Sequence, residues 1–130
     1  MSLPSTGSLN PRQLSFFWHP AFEKEVRKAN IQGLEKGLES FELLCEVQFH
    51  PISPQRIIGP GKLHYLHAGD GWELWKIELV VKGLRQNQMP RVWFAKKGIS
   101  FVYLAMGSHG ENYIDGERKN CALERVSEFF

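Results

Sequence analysis

Between Lys62 and Ala105 the chain is a succession of short apolar and aromatic runs, divided by turns too brief to hold a helix. Lys62-Leu-His-Tyr-Leu-His67 is followed by the tight-turn signal Gly69-Asp70-Gly71. From Trp72 to Val81 large apolar groups alternate with polar ones at Trp72, Leu74, Ile77, Leu79 and Val81, with Trp75 as an additional aromatic. A polar turn over Gly83 to Gln88 leads to Arg91-Val-Trp-Phe-Ala95, and Lys96-Lys97-Gly98 then forms a hairpin turn into Ile99 to Ala105. Parallel neighbours need a crossover of about a dozen residues or more, whereas antiparallel neighbours need only a short loop. The spacing therefore predicts three or four consecutive strands in an antiparallel meander.

Helical patterns flank this block. Leu14 to His19 is short, apolar and aromatic and reads as a strand ended by Pro20, which suits the first turn of a helix. A first helix is expected over Ala21 to Asn30, with Phe22 and Val26 four residues apart. A second runs from about Ile31 to Phe49, with Leu34, Leu38, Phe41, then Leu44 or Cys45, and Gln48 along one face. Gly33 and Gly37 weaken it, each by about 1 kcal/mol relative to Ala. His50-Pro51, Ser53-Pro54 and Gly59-Pro60-Gly61 break the helical pattern. A polar loop from Gly107 to Tyr113 precedes a last helix, opened by Asp115 or Gly116 and running over Glu117 to Phe130, with Leu123, Val126 and Phe130 inward. Helices set before and after the meander imply an α+β domain. A single domain over residues 13–130 is expected, behind a Ser/Pro/Gly-rich flexible leader over 1–12 that has neither the basic cluster nor the apolar stretch of a signal peptide.

Composition narrows the function classes. Sixteen basic and fourteen acidic residues leave a net charge of +2, so any nucleic-acid role must rest on a local patch. No run of about 18 apolar residues is present, which argues against a membrane-spanning helix. Cys45 and Cys121 lie within helical patterns without metal-ligand spacing and read as packing thiols in a reducing cytoplasm. His64 and His67 lie near Tyr65, but no third ligand follows, and surface histidines are the simpler reading. No carboxylate cluster suited to Mg²⁺ occurs, and neither metal nor cofactor is expected.

Three segments in order resemble the RelE/HigB toxin superfamily of bacterial toxin–antitoxin systems. Gly71-Trp-Glu-Leu-Trp-Lys-Ile-Glu-Leu79 is similar to a family strand with an aromatic-Glu-Leu-Arg or aromatic-Lys-Ile-Lys core. Pro90-Arg-Val-Trp-Phe94 resembles its Tyr-Arg-Val-aromatic-aromatic strand. The loop Gly107-Ser-His-Gly-Glu-Asn-Tyr113 is similar to the Gly-x-His-x-x-(Asp/Asn)-Tyr loop of HigB-like and phage-borne relatives. The resemblance covers Lys62 to Phe130, just over half the chain. It implies a RelE-like fold, in which an N-terminal strand and a helical hairpin pack on a curled antiparallel sheet with a C-terminal helix.

The activity the resemblance implies is metal-independent cleavage of mRNA, with or without the ribosome, by attack of a ribose 2′-OH on the adjacent phosphate. Such a site needs a base for the hydroxyl, an acid for the leaving 5′-oxygen and fixed positive charge on the phosphorane. Arg91 matches the family's strand arginine and can fork onto phosphate oxygens; the plainer reading is a strand arginine paired with a neighbour. His109, with an ordinary pKa of ~6.5, suits proton transfer; otherwise it is a loop histidine. Tyr113 can donate a hydrogen bond, stack on a base or act as an acid, or it packs the loop onto the last helix. Lys76 adds charge beside Arg91 in one alignment, while another register puts Trp75 at the family's basic position. Glu78 or Trp75 stands where a second basic residue is common, and Glu73 reads as structural. Lys96 and Lys97 are candidate RNA contacts or solubilising turn residues. The four tryptophans are expected in the core, with Trp75 or Trp93 able to stack on a base if turned outward.

The partners implied are a cognate antitoxin, mRNA and the ribosome. The rival from another class keeps the fold but acts only by binding protein or RNA.

Overall fold

A computed structural model describes residues 12–108 and 113–130. Of the expected leader over residues 1–12, residues 1–11 lie outside the described residues, as does His109. The described residues form an α+β fold, with one five-stranded sheet and three α-helices among them, in the order β1 (Ser15–Trp18), α1 (Pro20–Ala29), α2 (Leu34–Gln48), β2 (Leu63–Ala68), β3 (Glu73–Glu78), β4 (Arg91–Lys97), β5 (Ser100–Gly107) and α3 (Asp115–Val126).

Spatial order is β1-β5-β4-β3-β2. The last four strands form the antiparallel meander that their short connections demand. The expectation of an entirely antiparallel sheet needs correction, because β1 joins β5 in parallel, with Ser15 opposite Ser100 and Trp18 opposite Tyr103. The helical hairpin α1–α2 carries the chain from β1 at one edge of the sheet to β2 at the opposite edge, and the meander then brings β5 back beside β1, a connection long enough for a parallel pair. The first strand is thus an edge of the sheet and not an element lying on it.

Each face of the sheet carries its own core. On one, Phe22 of α1 and Leu34, Leu38, Phe41 and Cys45 of α2 pack on Leu63, Ile77, Val92, Phe94, Phe101, Tyr103 and Met106. On the other, Ala122 and Val126 of α3 pack on Leu74, Trp93, Ala95, Val102, Leu104 and Ala105. Leu104 is an extra residue in β5, since Trp93 pairs with Ala105 and Phe94 with Tyr103. This bulge turns two successive apolar residues toward α3, which strict alternation forbids.

Two boundaries differ from expectation for backbone reasons. Asn30 closes α1 in the left-handed region at φ 49°, and Gly33 precedes α2 at φ 86°, so α2 starts at Leu34 and not at Ile31. Gly33 supplies freedom that side-chain residues lack there. Of the two candidates on the α2 stripe, Cys45 is buried and Leu44 is exposed.

Candidate functional site

The α3-facing side of the sheet changes from apolar to polar toward the start of β4. Leu74, Trp93 and Ala95 form its dry part. One pair further along, Lys76 lies opposite His64 on one side and Trp93 on the other; next come Glu78 opposite Arg91, and Arg91 opposite Gly107. Residues two apart on a strand share a face, so Lys76, Glu78 and Arg91 project together. This register places Lys76 on the Arg91 face and Trp75 on the opposite face, where Trp75 meets Phe49 and Tyr65 at ring-centroid distances of 5.2 and 5.4 Å.

The segment entering α3 closes over this strip. Arg91 Nη1 donates to Tyr113 Oη at 2.6 Å. Lys76 Nζ meets Asp115 Oδ2, at the start of α3, at 3.1 Å. Tyr113 is positioned by packing as much as by hydrogen bonding. Its ring lies against the bare backbone of Gly107, where a Cβ would overlap it, and meets buried Trp93 edge-on at 6.4 Å. The hydroxyl oxygen accepts from Arg91, so its own hydrogen remains free to donate to a further acceptor.

Tyr113 as acceptor, with Asp115 and Glu78 nearby, holds the Arg91 guanidinium above its ordinary range against the opposing effect of desolvation. Arg91 is therefore a fixed cation at every physiological pH. Glu78, its cross-strand neighbour, turns instead to Lys62, 3.5 Å away. Beside Arg91 lies a small open pocket of ≈ 490 Å³ lined by Glu78, Gln86, Asn87, Met89 and Arg91. Gln86 and Asn87 belong to a short 3₁₀ turn, Gln86–Gln88, that interrupts the expected irregular loop. These amides are not legible as site residues in the sequence, because a polar loop carries no signal of where it folds back.

Arg91, Tyr113 and Lys76 are thus brought together. Lys96 and Lys97 are not: they end β4 at its far end, beyond Trp93 and Ala95. Lys96 points to the opposite face, with its ammonium 5.5 Å from the Phe49 ring centroid, 5.9 Å from that of Phe101 and 3.8 Å from Glu73. Glu73 also accepts from the Trp75 indole at 3.2 Å. His64 Nε2 lies 3.2 Å from the Gly61 carbonyl oxygen, and the His67 ring lies 5.8 Å from Trp72. Among the described residues, no three His, Cys, Asp or Glu side chains converge as a metal-ligand group.

His19, legible in the sequence only as the end of a strand, is buried. Its Nδ1 accepts from the Ala21 amide at 3.0 Å, and Nε2 reaches Glu128 at 3.1 Å. The Nδ1 role fixes the Nε2–H tautomer in the neutral ring. This histidine caps α1 and ties it to the end of α3.

No helix among the described residues is long and apolar enough to cross a membrane. Comparison with protein-family models, with curated proteins and with solved structures finds no match to the chain.

Proposed function

We propose that the chain is a RelE/HigB-like toxin, a metal-independent endoribonuclease that cleaves mRNA through 2′-OH attack on the adjacent phosphate. The observation that carries this reading is the convergence of Arg91, Lys76 and Tyr113 on one face, with His109 four residues before Tyr113 in the sequence. The order of strand, helical hairpin, antiparallel meander and closing helix supports a RelE-like fold. In this reading Arg91 forks onto the non-bridging oxygens of the scissile phosphate and offsets the charge that builds on the phosphorane. Tyr113, aligned by Arg91, donates its free hydroxyl hydrogen to the same group. His109 exchanges protons with the 2′-OH and the leaving 5′-oxygen. Lys76 attracts the flanking phosphate once Asp115 releases it.

The non-catalytic alternative, an RelE-fold module that binds protein or RNA, is favoured by the acids around the cations. Asp115 already engages Lys76, and Glu78 stands across from Arg91. A cell-free translation reaction programmed with a defined mRNA separates the two readings. The nuclease yields fragments ending in 2′,3′-cyclic phosphate and 5′-hydroxyl groups, lost in Arg91→Ala. The binding module leaves the message whole. A cytoplasmic setting, an antitoxin that covers this face and ribosomal access to the site belong to the same proposal.

A further inference from the structure

The pocket beside Arg91 has a chemistry that phosphate binding does not use. Its lining joins one carboxylate (Glu78), two primary amides (Gln86 and Asn87) and a thioether (Met89) to the guanidinium of Arg91. Glu78 is held by the sheet, opposite Arg91 in register. The amides are carried by a turn whose backbone is closed by Gln88 N–H to Arg85 O at 2.9 Å and by Arg85 N–H to Gln88 Oε1 at 3.1 Å. Met89 is fixed as well, because its sulfur accepts the Val81 amide at 3.3 Å.

We propose that this pocket reads a guanine base adjacent to the phosphate held by Arg91, an inference that rests on the ribonuclease reading of the site. Unstacked bases are recognised on their Watson–Crick edges. Guanine presents there two donors, N1–H and the N2 amino group, followed by the O6 acceptor. A carboxylate accepts both donors, and a neighbouring amide N–H satisfies O6. Adenine would set its N1 lone pair against the Glu78 carboxylate, and the pyrimidines carry one matching donor at most. The loose 3.5 Å contact with Lys62 leaves Glu78 with acceptor capacity for such a pair. Met89 offers a polarizable apolar surface to the base.

Titration of the ¹⁵N-labelled full chain with GMP, AMP, CMP and UMP, followed on the Gln86 and Asn87 side-chain amide signals, tests the pocket without translation or cleavage. GMP is expected to bind at least about tenfold more tightly than the other three, the size of one good bidentate base contact. Inosine monophosphate, which lacks the N2 amino group, falls between GMP and AMP. Glu78→Gln should reduce the GMP advantage to less than about threefold and leave AMP within about twofold, while Arg91→Ala weakens all four nucleotides alike. Equal affinities in the wild type that fall together in Arg91→Ala overturn the guanine pocket and leave Arg91 standing as a phosphate site. A guanine preference that persists in Glu78→Gln also overturns the pocket. If no nucleotide binds, both the pocket and the phosphate role of Arg91 are rejected.

Discussion

Arg91 and Tyr113 hold each other in place, and the two halves of that arrangement can be separated. Tyr113→Phe keeps the ring on Gly107 and Trp93 but removes the acceptor of the 2.6 Å bond. A hydrogen bond to a charged, half-buried group contributes about 1 kcal/mol after solvent screening, so the melting temperature should fall by roughly 2–4 °C. Gly107→Ala is expected to do more. Its Cβ cannot coexist with the tyrosine ring, which must leave, breaking the Arg91 bond and uncovering the edge of Trp93. Thermal melts of the two variants, with indole fluorescence as the second readout, check the order: Gly107→Ala loses more stability and alone shifts the emission to the red. If the chain is the proposed ribonuclease, Tyr113→Phe should impair cleavage less than Arg91→Ala, because the arginine charge remains.

At the scale of elements, the outer edge of β5 shows how the fold finishes a ladder that its partner strand leaves short. β1 accompanies β5 only as far as Tyr103. Beyond it, Glu25 of α1 accepts the Met106 amide at 3.0 Å, and Arg125 of α3 donates to the Leu104 carbonyl at 2.7 Å. Glu25 also meets Arg125 at 3.0 Å and Arg118 at 3.3 Å, which joins helices from opposite faces around the sheet edge. Removing Glu25 takes this carboxylate from two partly buried arginines and leaves the Met106 amide without its acceptor. Glu25→Ala is expected to cost about 3 kcal/mol, read as a lower denaturant midpoint with the slope unchanged.

Glycine substitutions show the same competition between local and tertiary effects. Gly116→Ala in α3 meets nothing within 4 Å and should gain up to about 1 kcal/mol of helix propensity. Gly37→Ala gains the same propensity, but its Cβ would stand 2.8 Å from the Val80 carbonyl oxygen. Forcing α2 off that backbone should outweigh the gain and leave a net loss of about 1–2 kcal/mol in equilibrium unfolding.

Much of this layer was legible in the sequence. The strand and helix order came from period-two and period-3.6 patterns and from turns such as Lys96-Lys97-Gly98. The parallel seating of β1 was not legible, because four residues carry no record of a partner some 85 positions away. Nor was the value of Gly37, which reads as a weak helix residue until the Val80 carbonyl is beside it. At the site, Arg91, Lys76 and Tyr113 are legible in the sequence as candidates and lie together. The pocket amides Gln86 and Asn87 escaped notice because their position depends on how the β3–β4 connection folds back.

Across the whole molecule, the core facing α1 and α2 should set the alkaline limit of stability. Burial, reinforced by Glu42 and Glu46, pushes the Cys45 thiol well above its ordinary 9.0. Burial, with Glu42 again adding, pushes the Tyr103 hydroxyl well above 10.0. Below about pH 9 both groups are protonated in the folded and unfolded chains, and neither makes stability depend on pH. Above that the unfolded chain releases protons that the folded chain retains, so stability falls as pH rises. Chemical denaturation between pH 8 and 11 should show a decline from about pH 9 that steepens past about 10, and Tyr103→Phe should remove the steeper part. That variant also loses the 2.9 Å bond to Glu42, at about 1 kcal/mol near neutrality.

The reading of the molecule as a nuclease rests on Arg91 and the loop after β5, and induced expression in growing cells tests it most directly. Growth and transcript integrity are followed for the wild type beside Arg91→Ala and His109→Ala, with protein levels matched. A nuclease arrests growth with fragmented mRNA in the wild type, with relief in both variants. Unimpaired growth with intact transcripts at the same wild-type protein level would overturn the assignment.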